Sequence, residues 1–266
     1  MNEALWYVYA VVRPFEEALP DGVRGLDGEP PRLIGHGGLC AAASPVPAAD
    51  FDAAPLRARL EDLDWLSATA RAHQSVVAAL SSVTCAVPLR LATVCREESG
   101  VRRLLDSGRD RFVAALERLD GRVEWGVKVY AEAGSPEPAT APGAKPATGR
   151  EYLRRRLGQR RAREDTWREA GALSRTLHRE LSGQAEAERL HRPQNARVSG
   201  QPGENVLNAA YLVPRERSAE FVALVERHGA QVAGVRVEVT GPWAPYSFAG
   251  TADADGGGAD GPDGIR

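Results

Sequence analysis

Five histidines (His36, His73, His178, His191, His228) and three cysteines (Cys40, Cys85, Cys95) are the side chains of this 266-residue chain best suited to metal or nucleophilic chemistry. Their spacing assembles no site. No histidine pair has the i, i+4 separation that sets two imidazoles on one helical face, and the cysteines are dispersed, odd in number and without a C-x-x-C pair. His73 lies among apolar residues at helical spacing, where a hydrogen-bonded core imidazole is the ordinary outcome and a general base the exceptional one. "GHGG", residues 35–38, offers backbone amides to an anion but has no helix start behind it, so it reads as a glycine-weakened strand. The glycine-rich phosphate loops, the nucleophile elbow G-x-S-x-G, the zinc helix H-E-x-x-H and the EF-hand loop are all absent. The expected catalytic, cofactor and metal residues are therefore none. An enzyme site built from dispersed residues such as His73, Arg90 and Glu124 stays open as a competing reading.

The other group with chemical potential is basic. "RRRLGQRRAR", residues 154–163, begins with Arg154, Arg155 and Arg156 and is the densest charge run in the chain. Arginines so placed contact phosphates, an acidic protein face, or simply water. Glu164, Asp165, Glu169 and Glu180 follow, and no aromatics interleave the run to stack bases, so an acidic protein face suits it better than nucleic acid. Arginine as such says little here, because only Lys128 and Lys145 among the 34 basic residues are lysines, as a coding bias produces. A net charge of -2 gives no global field towards nucleic acid or an anionic membrane, and no run of about 18 apolar residues occurs. The start lacks a basic flank before its apolar run, and a cytoplasmic location is expected.

These residues must be held by elements, and the patterning supplies them. Residues 5–12, "LWYVYAVV", form a buried strand; residues 32–44 read as a second, glycine-weakened strand; "SPVPAADFDAAP" reads as a loop. Helical spacing runs from Asp64 to about Ser82, strand character returns around Pro88, and helical turns from Val101 to Leu119 stop at Gly121. Residues 122–132 alternate Val123, Trp125, Val127 and Val129 with polar side chains, as a strand with one wet face does. A long helical pattern covers 149–190, followed by two strands, "NARVSG" and "NVLNAAYLVP", joined by "GQPGE". A helix over "SAEFVALVERHG" and a final strand carrying Val235, Val237 and Val239 close the pattern.

The predicted fold class is α+β in two domains. An N-terminal mixed α+β domain spans 1–120, and a ferredoxin-like domain of order βαββαβ spans 121–250, with a long helical excursion and an extended aromatic tail. Residues 251–266, rich in Gly and Asp, are expected to be disordered. "GSPEPATAPGAKPATG", residues 134–149, is expected to be a mobile loop inside the second domain.

"YVYAVV", "HQSVVAAL…PLRLATV", "VEWGVKVY", "GREYLRRR", "LNAAYLVPRE" and "GPWAPYSF" stand in that order across about 240 residues. Together they resemble the gas vesicle protein GvpF/GvpL family. Ala244 stands where the family's closing motif usually has proline, and Leu91 with Ala92 stand where it has "FG". The resemblance implies a non-catalytic accessory protein of gas vesicle assembly, without cofactor. Its partners would be the hydrophobic shell protein GvpA, kept from aggregating during nucleation, and other gas vesicle proteins. Length and the lack of extra segments lean towards the GvpF branch. A nucleic-acid-binding or regulatory ferredoxin-like module is the alternative from another class.

The closing motif raises its own question, because Pro242, Trp243, Pro245, Tyr246 and Phe248 lie beyond the last strand with no element left to join. Either these residues pack back onto the protein or they face a partner. The expectation is self-docking, with Trp243 and Phe248 clamped in a seam between the domains. Arg154, Arg155 and Arg156 are the second candidate contact.

Overall fold

The computed structural model describes residues 5–132, 149–192, 203–229 and 232–250. The expectations for 134–148, for the strand "NARVSG" and for the tail 251–266 lie outside the described residues. The described chain divides into two compact units, residues 5–121 together with 243–250, and residues 122–242. Sequence patterning assigned the aromatic tail to the second domain; it is part of the first unit instead.

In the first unit, β1 (Leu5–Val12) is buried along its whole length because antiparallel neighbours flank it and helices cover it. On one side it pairs with β3 (Leu39–Val46), which pairs in turn with β2 (Arg32–His36). The single weakened strand read over 32–44 is thus a hairpin. Gly37 and Gly38 both have positive φ, 58° and 79°, which is what a two-residue turn matching the strand twist requires. On its other side β1 pairs with β4 (Ala86–Pro88) and β5 (Val94–Arg96), so the strand read around Pro88 is broken in two by a turn at residues 89–93.

The predicted loop at "SPVPAADFDAAP" instead holds α1 (Ala48–Phe51) and starts α2 (Ala53–Glu61), with the Asp52 carboxylate accepting from the Ala53 amide at 2.9 Å. Prolines are tolerated in a first helical turn, which is why their density misled. Helix α3 (Leu63–Val83) opens on Asp62, whose carboxylate accepts the amides of Asp64 and Trp65, and it lays Val76, Val77 and Leu80 on the sheet. The helical turns up to Leu119 divide at Gly108 into α4 (Glu97–Ser107) and α5 (Arg109–Leu119).

The second unit begins with β6 (Arg122–Ala131), whose alternation is as read, and continues into α6 (Gly149–Ser182), uninterrupted at Gly158 and Gly171. Residues read as the end of that helix form β7 (Ala187–Leu190), which lies on β8 (Glu204–Pro214). Helix α7 (Ser218–Gly229) and β9 (Val235–Trp243) complete it. The sheet order is β7-β8-β6-β9. Its core joins Val127, Val129, Tyr211 and Val213 of the sheet with Leu177, Leu181 and Phe221 of the helices. Gly241, near the end of β9, has φ +137°, and a Cβ there would stand 2.8 Å from the Glu124 carbonyl oxygen. Only glycine suits the point where the chain leaves the second unit.

Candidate functional site

The closing motif docks on the core of the first unit. After β9 the backbone turns through a short 3₁₀ segment, Tyr246–Phe248, held by the Tyr246 amide on the Ala244 carbonyl at 2.8 Å and the Phe248 amide on Pro245 at 3.1 Å. Ala244 (6% exposed) and Phe248 (8%) are buried, Pro245 is buried with them, and Tyr246 is partly covered. The Arg118 guanidinium on α5 donates to the carbonyl of Phe248 and, at 3.0 Å, to that of Gly250. This charged fork ties the strap to a helix. Pro242 is exposed and Trp243 is 46% exposed, so the expected clamp through Trp243 is corrected. The buried anchors are Ala244, Pro245 and Phe248, the chain passing inwards at Ala244, one residue after Trp243.

Tyr246 reaches a buried ring cluster. Its ring lies 5.9 Å from that of His73, which is 5.6 Å from Tyr7 and 5.7 Å from Tyr9. Phe51 and Trp65 extend the cluster beyond Tyr7. The Tyr7 hydroxyl accepts the Ala92 amide at 3.1 Å and stands 2.8 Å from His73 Nδ1. Burial pushes the Tyr7 phenol well above its ordinary pKa and lowers His73 to about 4, the Leu89 backbone opposing the latter. At neutral pH both are uncharged, and the phenol and Nδ1 share one buried hydrogen bond. The arrangement braces the core against the strap. Of the residues in the dispersed enzyme reading, His73 and Arg90 belong to the first unit and Glu124 to β6 of the second. Among the described residues no group of three or more His, Cys, Asp or Glu side chains is placed to hold a metal, and no helix is long and apolar enough to cross a membrane.

Arg154, Arg155 and Arg156 lie in the first half of α6, where nearly every described side chain from Arg150 to Glu169 is exposed. Arg156 packs over Tyr152, with its Nε 3.1 Å from the phenol oxygen. Burial begins only at Ala170, where the helix meets the sheet. The first half of α6 is therefore a solvent-exposed arm bearing Leu153, Leu157 and Trp167 at 61%, 56% and 48% exposure. The sequence reading took Leu153, Leu157 and Trp167 into the helical pattern of 149–190 and named only the arginines as a contact surface; the exposure of these apolar residues was not foreseen.

Comparison with known proteins places this arrangement. The family model described as gas vesicle synthesis protein GvpL/GvpF matches residues 5–250. A gas vesicle protein L from Streptomyces sp. (strain CB03234) is 65% identical over 257 residues, 96% of each chain, and a gas vesicle protein F from the same organism is 28% identical, covering 91% of this chain and 98% of that one. The lean towards the F branch runs against these identities. Crystal structures of GvpF from Anabaena sp. PCC7120 and from Microcystis aeruginosa share the fold, with TM-scores of 0.63 and 0.61 at 20% and 21% identity. Each covers 93% of this chain, over 96% and 99% of the respective structures. With a match that spans both units and the closing strap, the chain belongs to the gas vesicle GvpL/GvpF family.

Proposed function

We propose that this protein is a non-catalytic accessory factor of gas vesicle assembly that binds the shell protein GvpA and other gas vesicle proteins and keeps them from aggregating during nucleation. The observation that carries this is the family match over residues 5–250, which takes in every described element of both units. A subunit that buries apolar, strand-rich surface on assembly exposes that surface beforehand, and a folded partner lowers the hazard by covering it. The factor works in the cytoplasm and accompanies the vesicle. Its second unit, with strand order β7-β8-β6-β9 beneath two helices, fits a ferredoxin-like binding module.

The test is capture of purified shell protein by the immobilised full chain, with an unrelated protein of equal size as control. Retention of shell protein on the chain alone supports the proposal, and equal recovery on both columns contradicts it. The alternative, a nucleic-acid-binding or regulatory module, draws on the α6 arginines, and salt-sensitive retardation of DNA or RNA in a gel would favour it.

A further inference from the structure

The exposed arm of α6 has a pattern beyond its positive charge. Written as heptads with Leu157 at a, Leu153, Arg160 and Trp167 fall at d and Glu164 at the next a. Every e position from Leu153 onwards in the arm is arginine (Arg154, Arg161, Arg168), and so are both g positions (Arg156, Arg163). The seam is narrow: Leu153 and Leu157 in its first turns, Trp167 at its far end, and between them the Arg160–Glu164 pair at 2.8 Å. Arg160, Arg163, Glu164 and Trp167 line a surface groove with Glu204.

We propose that this arm is a docking helix for an acidic amphipathic helix of a partner protein, which lays apolar a and d residues on the Leu153/Leu157/Trp167 seam and carboxylates against the flanking arginines. The proposal deepens the binding role given above and rests on it. Charge selects the occupant. Between residues 149 and 168 there are eight arginines and three carboxylates, in a chain whose net charge is -2. A second copy is disfavoured, because parallel pairing sets g against e and antiparallel pairing sets e against e and g against g, arginine on arginine in each case. A membrane surface suits a wide apolar face, and here Arg160 and Glu164 interrupt a narrow one. Nucleic acid makes no use of the exposed leucines and meets Glu164 and Asp165 among the arginines. The present partners of the flanking arginines, Asp165 for Arg168 and Glu204 for Arg163 at 4.0 Å, are exposed ion pairs that exchange readily for a better-matched carboxylate. The polar pair inside the seam fixes register, as a single polar site does in a coiled coil.

The experiment titrates a fluorescein-labelled three-heptad peptide, with Leu at a and d and Glu at e and g, into the full-length protein, beside its Lys counterpart, a 20-base-pair DNA and phosphatidylserine vesicles. The Glu peptide should bind, the Lys peptide should not, and raising the salt should weaken binding. Charge reversal by Arg154→Glu, Arg161→Glu and Arg168→Glu should weaken the Glu peptide by about tenfold or more and confer binding of the Lys peptide. Leu153→Ala with Leu157→Ala should also cost about tenfold, with the melting temperature held, since these side chains are exposed. Equal binding of both peptides, indifference to charge reversal, or tighter binding of the DNA or vesicles than of the Glu peptide would overturn the proposal. Failure of the Glu peptide beside successful capture of shell protein removes this inference and leaves the assembly role. The reverse result removes the assembly role and leaves the arm as a docking helix for some other acidic partner.

Discussion

The strap at residues 243–250 and the arm at the start of α6 are both places where aromatic or leucine side chains sit at unexpected positions, yet the molecule treats them in opposite ways. In the strap, Phe248 and Ala244 are buried, Tyr246 meets His73, and Arg118 fastens the backbone. On the arm, Leu153, Leu157 and Trp167 remain in water and arginines surround them. A segment stiffened by Pro245 loses less entropy on docking and makes a good brace, whereas a helix rich in exposed arginine stays soluble while keeping apolar residues available. The first braces the fold, and the second is where we propose that a partner docks.

The largest effect should come from cutting the brace. Phe248→Ala removes a buried ring from the first unit and should cost about 3 to 5 kcal/mol in denaturant unfolding. An unchanged midpoint would mean the strap is not part of that core.

Next comes protonation of the cluster the strap covers. The folded pKa of His73 is about 4, below the ordinary 6.5, so the unfolded chain binds the extra proton first. That contribution to stability is complete above about pH 6.5 and is lost as pH falls from there towards 4, by about 2 kcal/mol between pH 7 and pH 5. His73→Gln should flatten this part of the stability profile. A difference between the two proteins that stays constant over that range would count against a neutral, buried imidazole.

Trp243 sharpens the contrast from inside the strap. Being half exposed, it should cost no more than about 1 kcal/mol when changed to Ala, well below the cost of Phe248. A cost equal to that of Phe248→Ala would move the anchor to the tryptophan.

The smallest change lies on the arm. Gly158 is helical, and a Cβ there meets nothing within 4 Å, so Gly158→Ala should stabilise α6 by about 0.5 to 1 kcal/mol, read as greater amide protection over the arm. Lower protection in the variant would show that the arm does not rest as a continuous helix.

Elements whose signal is local were legible in the sequence. The α3 stripe, the β6 alternation and α7 lie within a residue or two of their expected places because period and caps are written in adjacent side chains. Where partners decide, the reading failed. "AERL" continues a helical spacing and becomes β7 only because β8 offers an open edge to pair with. "GHGG" reads as weakness within one strand until the positive φ of Gly37 and Gly38 shows it to be a hairpin turn. The strap's need for a groove followed from its composition. Its destination did not, since Tyr7, His73 and Arg118 stand more than a hundred residues earlier in the chain and only the fold brings them to it.

The most direct test of the assembly role is light scattering by purified GvpA diluted from denaturant in the presence of an equimolar amount of the intact protein. Scattering should stay low, and both proteins should elute together on size exclusion. Scattering that rises as fast as with an inert protein at the same concentration would contradict that role.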